Sequence, residues 1–172
     1  MTDPFASGQS DPFGDPVRQG KMPKMIELYG RLVLVKPLKI ETVKDNLSPT
    51  PGATVDRLTA DVDILDGTWP LVRLHKSGLP VSQASPGTPQ PEPLTERHFS
   101  GMWINSKGIV SVAKMSLAGQ GPQTILGRVS RGDASQPGWN EPYFLAAGTK
   151  EDKTVARAYI AQRAANNPQS LV

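Results

Sequence analysis

Arg31, Arg57, Arg73 and Arg128 fall on outward positions of alternating segments, and Tyr29 shares the outward side of the first of them. Trp69, Trp103 and Trp139, with Phe99, fall in or near turn-rich stretches. Guanidinium groups neutralise phosphates through planar, forked donors, and aromatic faces stack on bases. Together these residue types could hold a nucleic-acid single strand with little regard to its sequence. Each aromatic also has a plainer role. Large aromatics are highly buried on average, so Phe99 and Trp103 weigh first as core fillers. Trp69 and Trp139 stand beside Pro70 and Gly138 in turn-like surroundings, and weigh evenly between exposed and buried.

Other chemistry is poorly represented. There is no Gly-x-Ser-x-Gly elbow, no phosphate loop ending in Gly-Lys-Ser/Thr and no His-Glu-x-x-His. The chain has no cysteine, and its two histidines, His75 and His98, do not make a metal site by spacing. Asp61, Asp63 and nearby Asp66 could hold a hard cation, but a solvated strand face is the plainer reading. No catalytic residue, metal ligand or cofactor is expected.

The residues must be placed by short elements. Arg57 to Leu65 (RLTADVDIL) alternates most cleanly, with Leu58, Ala60, Val62 and Ile64 inward and Arg57, Thr59, Asp61 and Asp63 outward. Ile26 to Val35 reads as a first strand stopped by Pro37, with Ile26, Leu28, Leu32 and Leu34 on one side. Further strands are expected near Pro70 to His75, His98 to Ile104, Thr124 to Ser130 and Tyr143 to Ala146. A helix is expected after Ser106, with Ile109, Val112, Ala113 and Leu117 on its apolar face. A second begins at Thr149, where Thr149 and Asp152 form a capping box and Val155, Tyr159 and Ile160 mark the stripe. Residues 77–94 are dense in proline and lack periodicity, so a long mobile loop is expected there.

The ends differ from the middle. Residues 1–24 have almost no aliphatic side chains and repeat Asp3-Pro4-Phe5 as Asp11-Pro12-Phe13, so a disordered arm is expected. Acids beside an exposed Pro-Phe resemble the partner-docking tip of many bacterial single-strand-binding proteins, which makes Phe5 and Phe13 candidate docking residues. Low-complexity drift accounts for such repeats more plainly. The formal charge is +3, of which +2 falls in residues 150–172 and none in residues 1–24. That modest excess permits nucleic-acid binding without requiring it. No apolar run nears the ~18 residues of a membrane span, and the N-terminus lacks a signal-peptide pattern, so a cytoplasmic protein is expected.

The expected fold is mainly β with minor α: a five-stranded OB-like Greek-key barrel with an internal helix and a C-terminal helix. A mixed antiparallel sandwich is the alternative. The domain would span residues 25–148, after the arm at 1–24 and before the helix and tail at 149–172.

Segments of the chain resemble those of single-stranded DNA-binding proteins from phages of actinobacteria. The resemblance lies in the Asp-Phe-containing start, Leu28 to Pro37 (LYGRLVLVKP), Leu58 to Gly67 (LTADVDILDG), Ile125 to Gly132 (ILGRVSRG) and Pro142 to Tyr159 (PYFLAAGTKEDKTVARAY). It covers residues 26–163 and implies an OB-type barrel serving phage DNA replication or recombination in the host cytoplasm. It assigns no individual site residue. The leading expectation is non-catalytic binding of single-stranded DNA. Arg31, Arg57, Arg73 and Arg128 would meet the backbone, with Tyr29 beside them, and Trp69, Trp103 or Trp139 would stack on bases. A replication or recombination protein would dock on the arm, and self-association is left open. The alternative is a phage interaction or assembly module with no nucleic-acid role.

Overall fold

A computed structural model describes residues 22–133 and 142–166. The elements run α1 (Met25–Leu28), β1 (Leu32–Lys44), β2 (Thr54–Ile64), α2 (Val81–Ala84), β3 (His98–Ile104), α3 (Lys107–Leu117), β4 (Ile125–Arg131), β5 (Tyr143–Ala147) and α4 (Lys150–Asn166). The strands form one antiparallel sheet in the order β3-β2-β1-β4-β5. β3 and β5 are its two edges, and they do not pair with each other, so the sheet is not closed into the expected barrel. The internal helix, α3, follows β3 as expected and packs against β1, β2 and β5. Among the described residues no helix is long and apolar enough to cross a membrane.

The inner face follows from alternation. Leu58, Ala60, Val62 and Ile64 of β2 lie in one cluster with Val33, Val35, Phe99, Met102, Ile104, Ile109, Val110 and Ala113. β1 differs because both its faces are covered. Leu32 and Leu34 point outward and meet Leu65, Ala156, Leu126 and Tyr159 beneath α4, while Val33 and Val35 point inward. The four-residue apolar run Leu32 to Val35 is the mark of a strand buried on both sides.

Several expected elements are corrected. Met25–Leu28 is a single helical turn, not the start of a strand. Its Glu27 is drawn inward by Arg73. Pro37 does not stop β1. The register shifts between Pro37 and Lys39, and this bulge lets the strand pass a residue that has no N–H to donate. Pro70 to His75 is not a strand. It makes two isolated bridges, Leu71 with Leu94 and Leu74 with Pro80. Residues 77–94 hold α2 and are tied back by Gln90, which donates to the Arg73 carbonyl at 2.9 Å and accepts from the Ser82 N–H at 3.0 Å. Met22 and Pro23, read as part of the arm, are not fully exposed, and Met22 packs on the core. On α3, Val110 replaces Val112 and Leu117 on the buried side.

The capping box of α4 is present: the Thr149 N–H donates to Asp152 at 2.9 Å and the Asp152 N–H donates to Thr149 Oγ1 at 3.1 Å. The face that α4 turns to the sheet is Asp152, Ala156, Tyr159 and Arg163, while Val155 and Ile160 are exposed. The spacing is helical, but most of the docking groups are polar.

Candidate functional site

The outer face of β2 and β3 brings a cation and an aromatic together at the end away from α4. Antiparallel pairing sets Thr59 opposite Trp103, and Arg57 lies two residues from Thr59 on the same side. The Arg57 guanidinium covers the Trp103 ring at 3.9 Å from its centroid. Arg57 Nη2 also reaches Glu41 Oε2 at 3.4 Å, and Lys39 Nζ donates to Glu41 Oε1 at 3.0 Å. The hydrogen bond from Lys39, then that from Arg57, holds the Glu41 carboxyl below its ordinary pKa. Lys36 and Lys39 are both exposed on β1 across from Asp61 and Thr59. Arg57 Nε and Thr59 Oγ1 are buried yet have no protein hydrogen-bond partner. Buried polar groups are nearly always paired, so two orphans beside one indole mark the face.

The remaining expected cations are held internally. Arg73 is buried. Its Nε donates to Glu27 Oε1 at 2.8 Å and its Nη2 to the Met22 carbonyl at 3.1 Å. It therefore does not lie outward for a phosphate. Arg128 ties three parts together at 2.8 Å each: the Gly30 carbonyl, Asp66 Oδ2 and Asp152 Oδ1. Asp66 first, then Asp152, raises the Arg128 pKa. Its charge is met by two carboxylates, while its side chain stays partly exposed. Asp152 is held below its ordinary pKa, chiefly by the Thr149 N–H and then by Arg128.

The acids of β2 are likewise committed to protein donors. Asp63 is not on a solvated face. It is buried under α4 and accepts from His98 at 2.8 Å, Tyr159 at 2.8 Å and Arg163 at 3.1 Å. Burial, then the bond to Asp63, pushes the Tyr159 phenol up to about 12. Asp61 accepts the Gly101 N–H at 3.0 Å, where the β2–β3 register shifts and Gly101 takes φ +69°. The Asp66 carboxylate accepts the Leu32 N–H at 2.7 Å as well as Arg128.

Two other aromatic–cation contacts occur. Arg97 lies 4.4 Å from the centroid of Trp69, whose indole N–H donates to the Thr95 carbonyl at 3.0 Å. Arg31 stands nearby, with its Nε on the Glu27 carbonyl and Nη1 on the Asp66 carbonyl, both at 3.2 Å. Burial lowers the Arg31 pKa most; Asp66 opposes this, and Arg97 adds to it. Tyr29, 53% exposed, shares Arg131 with Tyr143 at 5.8 and 4.9 Å. Phe99 is core, at 4% exposure, while Trp103 is half-buried. Trp139, Phe5 and Phe13 lie outside the described residues.

Thus Arg57 and Trp103 come together, Arg31 approaches Trp69 through Arg97, and Tyr29 sits apart with Arg131. Lys36, Lys39, Arg97 and Arg131 were missed from sequence. For the lysines the signal was present, since they flank Pro37, but reading Pro37 as a strand end removed them from the sheet. No protein-family profile matches the chain, and no curated protein or solved structure matches it.

Proposed function

We propose that the chain is a non-catalytic single-stranded DNA-binding protein with an OB-type architecture, acting in phage DNA replication or recombination as its sequence resemblance implies. The strand order β3-β2-β1-β4-β5, with a helix between β3 and β4, agrees with an OB barrel laid open along the β3–β5 seam. Such folds are described as partly open, and they bind oligonucleotides on the face of strands two and three. The observation that carries the proposal lies on that face: Trp103 beneath Arg57, with Arg57 Nε and Thr59 Oγ1 unpartnered by protein. A base stacks on the indole, the guanidinium turns to a phosphate, and Lys36 and Lys39 add charge along the strand path. The Asp-Pro-Phe arm is proposed to dock a replication or recombination protein.

One observation favours an interaction or assembly role instead: Arg73 and Arg128 are consumed by internal partners, which thins the available positive charge. A titration of oligo-dT followed by tryptophan fluorescence, at two salt concentrations, separates the readings. Binding should be stronger than to duplex and weaken with salt. Trp103→Ala should weaken it by about 1–3 kcal/mol, the usual worth of one stacked base. Absence of binding at low salt, or a folded Trp103→Ala variant that binds like the parent, refutes the proposal.

A further inference from the structure

At the end of the sheet where β2 gives way to the Asp66-Gly67 turn, Arg128 and Arg163 pair with three acids, and two further arginines stand beside them. Asp63 is taken by His98, Tyr159 and Arg163. Asp66 and Asp152 are taken by Arg128. Arg31 and Arg97 stand in the same neighbourhood, and among the described residues no carboxylate forms an ion pair with either.

Both guanidiniums are held in place by uncharged groups. Arg31 is clamped by the Glu27 and Asp66 carbonyls and lies flat against Gly67. A side chain at 67 would bring its Cβ to 2.3 Å from Arg31 Nη1, so that close approach requires glycine, which also adopts φ +92° there. Arg97 rests on the Trp69 ring at 4.4 Å and makes a long 3.4 Å contact from Nη1 to the Ile64 carbonyl. The carbonyls of Ile64 and Asp66 are two residues apart, so extended chain would separate them by about 7 Å. Two like charges are therefore fixed near each other; burial chiefly lowers the Arg31 pKa, Asp66 opposes this, and Arg97 adds to it. Each guanidinium carries five N–H donors, and these contacts use two on Arg31 and one on Arg97. Both residues are half-buried, so neither is closed off from solvent. Two fixed forks with spare donors, neither in an ion pair, are suited to an oxyanion with several acceptor atoms.

We propose that Arg31 and Arg97 form a phosphate-binding subsite beside Trp69, and that its occupant is a backbone phosphodiester of the bound single strand. The subsite sits at the opposite end of β2 from the Arg57–Trp103 stack. A strand held at both ends would cross the outer face of the sheet past α4. The identity of the occupant rests on the single-strand reading above, whereas the anion chemistry of the two arginines does not.

The test is oligo-dT affinity measured across salt concentrations for the parent, Arg97→Gln, Arg97→Lys and Trp103→Ala, with pyrophosphate as a second probe. Loss of one phosphate contact lowers the slope of log affinity against log salt by about 0.7 for single strands. Arg97→Gln should show that loss, and Arg97→Lys, which keeps the charge, should retain most of the parent slope. Trp103→Ala should weaken binding with the slope unchanged. Pyrophosphate should raise the parent's Tm and leave that of Arg97→Gln unmoved. A parent that binds oligo-dT, with Arg97→Gln giving the same slope, overturns the subsite and leaves the single-strand reading standing. A parent that ignores oligo-dT, yet is stabilised by pyrophosphate through Arg97, overturns the phosphodiester occupant together with that reading. No response to either probe overturns both.

Discussion

Glu27→Ala should be among the most damaging single substitutions in the chain, and it tests whether Arg73 serves the fold or a ligand. The Glu27 side chain is fully buried, at 0% exposure, and Arg73 retains 11%. Glu27 Oε1 accepts from Arg73 Nε at 2.8 Å and the Leu74 N–H at 3.0 Å, and Oε2 accepts from the Lys24 N–H at 2.7 Å. Arg73 in turn holds the Met22 carbonyl, and its own carbonyl holds Gln90. Removing the carboxylate breaks a buried ion pair, which typically costs about 3–5 kcal/mol. The whole stability of such a domain is about 5–15 kcal/mol. With a urea m-value of about 2 kcal/mol/M, the unfolding midpoint should fall by about 2 M. Replacing both partners, as Glu27→Met with Arg73→Met, should recover part of this loss, since an apolar pair carries no stranded charge. The Leu74 N–H stays unpaired in the double variant, so recovery should be incomplete. The assay is urea unfolding by circular dichroism, with oligo-dT affinity measured on the folded variants. The structural role of the Glu27–Arg73 pair is refuted if Glu27→Ala costs less than about 1 kcal/mol, below the range for a broken buried pair. It fails equally if Arg73→Met keeps the fold and loses oligonucleotide affinity.

Three further outcomes are expected. Tyr159 should ionise well above the ordinary tyrosine value in a spectrophotometric titration. Because its folded pKa of about 12 lies above the ordinary 10.0, its contribution to stability is complete below pH 10.0 and disappears as pH rises towards 12. Tyr159→Phe should flatten that part of the pH–stability curve. Thr149→Ala should cost about 1 kcal/mol of stability in thermal unfolding by removing a helix cap. Asp63→Asn should speed hydrogen exchange in α4 more than in the β1–β2 amides, because Asp63 anchors Tyr159 and Arg163 of that helix.

What the sequence disclosed depended on whether a side chain's surroundings were local. β2 was readable because one of its faces enters the core and the alternation Leu58, Ala60, Val62, Ile64 records it. The span of β3 and the Thr149–Asp152 cap were readable for the same reason: their signals lie within a few residues. Met25–Leu28 imitated a strand because Ile26 and Leu28 alternate, whereas the contact that decides its conformation joins Glu27 to a residue 46 positions away. Arg73 looked like an outward cation for want of that same partner. The face of α4 was misread because hydropathy favours Val155 and Ile160, while the helix docks through Asp152, Tyr159 and Arg163. The Arg57–Trp103 stack depends on the register that sets Thr59 against Trp103, and neither residue announces it alone. Whether the edges β3 and β5 meet is a matter of strand curvature and shear, which local periodicity does not encode.

The central position of β1 also sets an order of events in folding. Its pairing with β2 closes a turn of residues 45–53, whereas its pairing with β4 joins Leu32 to Arg128, 96 positions apart by residue number. Closing the longer loop loses more chain entropy before any contact repays it. The β1–β2 hairpin is therefore the natural nucleus, and it already carries the inner row Leu58, Ala60, Val62 and Ile64. Substitutions in that hairpin should slow folding, while those in β4, β5 and α4 should chiefly hasten unfolding. Until β4 arrives, one edge of β1 and the apolar Leu32 and Leu34 lie open to any other chain. The outer face proposed to hold DNA is thus assembled in two stages: its Arg57 end with the hairpin and β3, and its α4-covered end after the distant pairing is made.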